Sequence, residues 1–221
     1  MRSAKWKYVV LGGVVVAITA FGQSVKQQQR GHYHGAPVTI ATVQQGRAII
    51  LHHGCPDCHG GYDNPDKEGW LAGIKDTDAP FKIGPCVESQ PCWETRPRNL
   101  TPDNATGLGR FTERQIFNAI RHGLRPGETP DVTITGDTPG KGNFPDSPKY
   151  LAPPMPWPSF RHMPDADIWA IATYLKHGLK PVSHKVKDSD GPPDFWASTY
   201  AEMNGASRPV KFPTAREAFT R

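Results

Sequence analysis

The stretch G-C-P-D-C-H-G-G, Gly54 to Gly61, decides how the rest of the chain is read. Cys55 and Cys58 stand two residues apart, and His59 follows at once. Two thiols and an imidazole at this spacing serve three chemistries: half of a zinc site, a redox dithiol, or the covalent seat of a c-type haem. A structural zinc site takes four ligands, usually from a second cysteine pair or a histidine pair. The remaining cysteines, Cys86 and Cys92, have no histidine near them. A redox dithiol of the thioredoxin kind sits between a strand and a helix, whereas here a helical pattern precedes the motif and Gly60-Gly61 follows it. Haem attachment needs two thiols to add to the vinyl groups and a histidine within the same turn to reach the iron. C-x-x-C-H meets that need and fits best.

The chain has 221 residues, with 23 Pro and 22 Gly. Both residue types interrupt regular elements, so a small helical core wrapped in irregular chain is expected. The formal charge of +5 is carried by the N-terminus: Arg2, Lys5, Lys7, Lys26 and Arg30 have no acidic counterpart in the first thirty residues. The remainder is balanced, so the basic character gives no argument for nucleic-acid binding. Behind the basic flank runs the apolar stretch Tyr8 to Gly22. It reads either as a signal peptide cleaved after Gly22 or, extended to Val25 with Trp6 as interfacial anchor, as a retained membrane helix. Both readings place the rest of the chain on the far side of the membrane.

The expected organisation is an anchor over residues 1–25, a polar linker over 26–42, a folded domain over 43–181 and an extended tail over 182–221. Within the domain, Val43, Ala48, Ile49, Leu51 and His52 recur at roughly helical spacing ahead of the cysteines. Residues 60–102 read as a long irregular insertion. Phe111 to Leu124 predicts a helix with Thr112 as N-cap, an Ile116, Phe117, Ile120 stripe and Gly123 at its stop. Pro164 to Gly178 predicts the strongest helix: Asp165 and Asp167 suit its start, Lys176 and His177 its end, and Ile168, Ile171, Ala172 and Leu175 its buried face. A further short helix is expected near Asp194 to Met203. Three helices joined by Pro-rich loops make a thin core, which a bulky apolar group at the centre would complete.

Gly54 to His59, N-L-T-P-D-N-A-T-G-L-G-R-F-T (Asn99 to Thr112), A-I-R-H-G-L-R-P (Ala119 to Pro126), A-P-P-M-P-W (Ala152 to Trp157) and the D-I-W-A-I-A-T-Y-L helix occur in a familiar order. Over roughly Gln44 to Pro181 the chain resembles the single-haem c-type cytochrome modules of bacterial dehydrogenase cytochrome subunits. The resemblance implies a mainly α, class I cytochrome c fold: three or more helices around one covalent haem, with long Pro/Gly-rich loops. There the N- and C-terminal helices cross beside the haem, and Tyr174 and Leu175 would face the helix before Cys55. The single C-x-x-C-H motif implies one haem c, whereas some members carry three.

The resemblance makes His59 the proximal iron ligand, its other ring nitrogen donating to a backbone carbonyl. The family's proline in that region matches either Pro85 or Pro97. Met155, stiffened by flanking prolines, is the implied distal ligand; Met163 is the runner-up, and the other role for either is filling a core gap. His52 and His53 lie too close to the cysteines to cross the haem plane, and His32 and His34 fall in the linker. Trp157, Tyr150, Phe111 and Trp169 are expected around the haem pocket or in ordinary core. Arg98 and Asn99 are read as propionate contacts or as solvated surface. Cys86 and Cys92, exported and left over, are expected to form a disulfide.

An iron with both axial positions filled by protein has no site for substrate, so the expected role is one-electron transfer. Redox partner proteins would be a dehydrogenase, a quinol-oxidising complex or a terminal oxidase, met on the periplasmic side of the inner membrane. The alternatives are a peroxidase-like haem enzyme whose distal Met is displaced, and a tightly bound subunit of a larger complex. In the last case the tail and the Cys86 to Cys92 insertion would supply docking surface.

Overall fold

The computed structural model describes residues 35, 37–84, 86–89, 92–190, 196, 200 and 214–217. The expected anchor over 1–25, most of the 26–42 linker, Pro85 and most of the helix near Asp194 lie outside the described residues. Among the described residues no helix is long and apolar enough to cross a membrane. Regular structure begins at α1 (Ile40–His52), capped by the Thr39 hydroxyl, which accepts from the Thr42 amide at 3.1 Å. It therefore starts inside the stretch read as linker. Next come the one-turn α2 (Cys55–His59), the antiparallel pair β1 (Phe81–Ile83) and β2 (Trp93–Thr95), α3 (Glu113–His122), the short α4 (Trp157–Phe160) and α5 (Asp165–His177).

The frame is the crossing of α1 on α5. A Cβ built on Gly46 would lie 2.0 Å from the Ala170 carbonyl oxygen and 2.8 Å from Tyr174 Cβ, so the two backbones meet where α1 has no side chain. Ile50, one turn on, is buried with Ile168, Ile171, Ala172, Tyr174 and Leu175. This corrects the expected α1 stripe: Ala48 and His52 are exposed, while Gly46 and Ile50 carry the buried face. A glycine scores as neutral in an apolar pattern, yet close approach makes it the centre of this interface. α5 is buried almost all round, because α3 packs on another of its faces through Phe117 stacked on Trp169, centroids 4.5 Å apart.

α3 ends are built as its residues dictate. Thr112 and Gln115 form a reciprocal capping box, and Gly123 closes the helix in the left-handed region at φ 69°. Gly123 has a second reason to lack a side chain, since a Cβ there would come 2.2 Å from the Trp157 ring. Trp157, fully buried, anchors a second cluster with Leu124, Ile134, Phe144, Tyr150, Trp196 and Tyr200. Lys176, near the end of α5, donates to the carbonyls of Gly109 and Phe111 at 2.7 Å each and so pins the loop before α3.

Two segments differ from their sequence reading. The 60–102 stretch contains the β1–β2 pair, with Ile83 opposite Trp93, and Cys86 and Cys92 are joined by a disulfide between the strands. Strands of three residues are too short to carry a legible alternation. The beginning of the tail is extended but not free. Asp190 and Glu94 exchange backbone hydrogen bonds at 2.9 Å, which adds a bridge beside β2, and Val186 is buried.

Two outcomes follow from this packing. Gly46→Val should cost about 1–3 kcal/mol of stability through overpacking, measured by denaturant unfolding. Gly46→Ala is the sharper test: helix propensity alone would add about 1 kcal/mol, so a stabilised alanine variant would rule out the close crossing. His122, set edge-on to Phe144, is pushed down to about 4 by burial and then by the neighbouring Arg121. The unfolded chain, titrating near 6.5, then holds the extra proton between about pH 4 and 6.5. Stability should fall as pH drops through that window, by at most about 3 kcal/mol, and His122→Gln should flatten the slope.

Candidate functional site

The cysteine motif is placed by a turn that only glycine makes easily. Gly54, at φ 64°, breaks α1 from α2, and Pro56, buried, starts the short helix that carries Cys55, Cys58 and His59 on one turn. The chain then doubles back on the motif. Gly73 N–H donates to the His59 carbonyl at 2.8 Å, and Leu71 N–H donates to the Gly60 carbonyl at 2.9 Å. On the other side of the same segment, Leu100 N–H donates to the Leu71 carbonyl at 2.8 Å. Residues 59–60, 71–74 and 97–100 thus lie in successive hydrogen-bonded layers.

That layering brings Arg98 over the histidine. His59 Nδ1 lies 2.7 Å from the Arg98 carbonyl oxygen, which can only accept, so Nδ1 carries the proton and Nε2 keeps its lone pair. Burial pushes the imidazole below its ordinary value, with the Arg98 bond opposing. The ring is therefore neutral near pH 7 and able to ligate a metal through Nε2. The acceptor is neither proline considered from the sequence: it lies one residue beyond Pro97, whose own carbonyl faces the Ile74 amide at 3.4 Å. Pro85 lies outside the described residues.

The two thiols are half-buried and unpaired with each other. Burial, the largest cause, pushes Cys55 up to about 11, and burial together with the Asp57 charge raises Cys58. Redox dithiols depend on a lowered thiolate pKa, so the environment argues against that chemistry. Zinc fares no better, because no group of three His, Cys, Asp or Glu side chains converges among the described residues.

The distal segment is held separately. Leu151 N–H donates to the Gly123 carbonyl at 2.7 Å, and Thr95 Oγ1 donates to the Pro153 carbonyl at 3.1 Å. Just beyond these ties, Met155 closes a turn through its amide to the Ala152 carbonyl at 3.2 Å and stands half-buried. Met163 packs against the first core cluster, whereas Met155 belongs to neither cluster. Two residues on, the indole Nε1 of fully buried Trp157 has no acceptor among the described residues.

Arg98 and Asn99, read from the sequence as propionate contacts or solvated surface, both bond to the start of the tail, and Asn99 is buried. Arg98 Nη1 donates to the carbonyls of Val186 and Lys187, each at 3.2 Å, and reaches Asp188 at 3.3 Å. The Asn99 amide donates to the Val182 carbonyl at 2.8 Å and Thr106 Oγ1 at 3.0 Å, leaving it no spare proton. Phe111 lies under the Arg110 guanidinium, and Trp169 belongs to the α3–α5 contact. Arg121, which sequence reasoning missed, donates to the carbonyls of Arg161 and Met163 and to Asp165, so it fixes the link from α4 to α5. Its signal is weak in sequence, since a basic residue near a helix end reads as ordinary dipole complementation.

No family model matches the chain. It is similar to the gluconate 2-dehydrogenase cytochrome c subunit of Pantoea cypripedii, 36% identical over 94 residues, covering 42% of this chain and 17% of that protein. The cytochrome c subunit of the quinone alcohol dehydrogenase of Gluconobacter oxydans is 32% identical over 160 residues, 72% of this chain and 26% of that protein. The fructose dehydrogenase cytochrome subunit of Gluconobacter japonicus is 22% identical over 141 residues, 64% of this chain and 22% of that protein. The chain thus spans about a quarter or less of the length of these relatives.

The thiol environment yields a direct check. In chain isolated before any attachment, exchange of Cys55 with a small disulfide near pH 7 should run at least about tenfold slower than at an ordinary cysteine. Fast exchange would restore the dithiol reading.

Proposed function

Since this chain resembles the cytochrome subunits of dehydrogenases, we propose that it is a one-electron carrier holding one covalent haem c. The observation that carries the reading is the His59 Nδ1–H bond to the Arg98 carbonyl, which leaves Nε2 as a neutral donor beside two protonated thiols. Cys55 and Cys58 would tether the haem, His59 would ligate the iron on the proximal side and Met155 on the distal side. The α1–α5 crossing fits a class I cytochrome c arrangement. Trp157 Nε1, without an acceptor among the described residues, fits as well: a buried donor left unpaired costs about 1–3 kcal/mol, and a haem carboxylate would satisfy it.

When bound, the haem supplies reversible one-electron exchange at its iron. The residues of the chain do the rest. His59 is held in one ring orientation by its bond to the Arg98 carbonyl. Cys55 and Cys58, on the same turn as His59, hold the ligand and its tether in fixed register. The Met155 turn, tied at Leu151 and Pro153, keeps a weak thioether in place, and such a soft ligand favours the reduced iron and raises the potential.

The partner in this reading is a dehydrogenase, with the chain acting as its electron-transfer subunit and handing electrons to a further acceptor; the relatives' names favour this over a free shuttle. The basic N-terminus and covalent haem attachment fit a site on the periplasmic side of the inner membrane. The ferric protein should show the weak long-wavelength sulfur-to-iron band. Met155→Ala should abolish it and lower the potential, whereas an unchanged spectrum would transfer the ligand role to Met163. If wild-type protein lacks the band and binds carbon monoxide or peroxide readily, the carrier reading gives way to a haem enzyme.

A further inference from the structure

The start of the tail packs onto the layers that support His59. Val182 is tied to Thr101: its amide donates to Thr101 Oγ1 at 3.1 Å. His184 N–H donates to Thr106 Oγ1 at 3.0 Å, and its ring Nε2–H donates to the Ile74 carbonyl at 2.9 Å. Val186 is buried over Gly73, where a Cβ would come 2.5 Å from Val186 Cγ2. Arg98 reaches Val186, Lys187 and Asp188. Asn99, only 2% exposed, joins the two sides: its amide donates to the Val182 carbonyl, and its carbonyl accepts from the Thr101 amide at 2.9 Å and hydroxyl at 2.8 Å. The carbonyl that accepts from His59 belongs to the peptide between Arg98 and Asn99, so both anchors of that peptide are held by the tail.

We propose that residues 182–188 form a strap that sets the orientation of His59, with Asn99 as the positioning residue coupling strap to ligand. The inference rests on His59 being the iron ligand, as argued above. A loosened Arg98–Asn99 peptide weakens the Nδ1–H bond, and a histidine less polarised by its acceptor donates less to ferric iron. The reduced state is then favoured. His184 acts at the other end of the same clamp, by tying the strap to Ile74 in the layer that contacts the His59 carbonyl.

The test uses the full-length, haem-loaded chain, with redox titration and hydrogen exchange of the His59 Nδ1 proton followed by NMR. Asn99→Ala should raise the reduced-to-oxidised ratio at a fixed poise about tenfold, equivalent to 59 mV for one electron, and should speed exchange of that proton. His184→Ala should shift both readouts in the same direction by less, and His184→Gln, which restores a donor towards Ile74, should recover them. Should Asn99→Ala fail to load haem, the His184 pair decides. Unchanged potential and unchanged Nδ1 exchange in the variants that load would overturn the strap, whatever happens to their melting temperature. Wild-type protein whose spectrum shows no histidine-ligated covalent haem would sink both the strap and the carrier reading, whereas silent variants of a normal cytochrome sink the strap alone.

Discussion

The arrangement depends on one hydrogen bond, from His59 Nδ1 to the carbonyl of Arg98. It selects the tautomer, fixes the ring plane and leaves a single nitrogen for metal. The acceptor sits 39 residues downstream, so the bond exists only because the chain between folds back in layers. Gly60 and Gly73, at φ 94° and 89°, make that return possible: a Cβ on Gly60 would press on the Gly73 carbonyl at 2.9 Å. Residues that look like filler between motifs are thus what bring ligand and acceptor together.

Much of the helical frame was legible in the sequence. The ends of α3 announce themselves in Thr112 and Gly123, whereas the reciprocal Gln115 of its capping box went unread. The end charges of α5 and the cysteine motif are equally local signals. The interactions that join these pieces were not legible. Gly46 carries no apolar side chain and so contributes nothing to a hydrophobic pattern, although it is the closest point of the α1–α5 contact. Arg98 acts through its backbone, which no residue preference records. Asn99, Thr101, Asp103 and Thr106 are turn-forming residue types, but the Val182 and His184 carbonyls that Asn99 also binds lie more than eighty residues away. Asp103 keeps the local role, its carboxylate held below the usual range by the Thr106 hydroxyl and amide.

The two sides of the proposed haem site are supported in different ways. The proximal side rests on backbone layers and buried amides, with little side-chain freedom. The distal side rests on a turn tied at Leu151 and Pro153, beside an aromatic cluster in which Tyr150 and Trp157 stack at an interplanar angle of 8°. A rigid proximal ligand and a soft distal one suit a centre that changes charge without changing shape. Arg121 links this distal region to the frame, since the carbonyls it binds lie between α4 and α5.

The strap also orders events in time. The cysteine motif is made well before Val182, which Asn99 grips from 83 residues away. Contacts of such sequence separation close late, because the entropy of a long loop must be overcome first. In the proposed reading, haem would therefore meet a C-x-x-C-H motif still open on every side to whatever joins it to the thiols. The strap would close behind it, so the segment that stabilises the finished centre would be absent while the centre is being built.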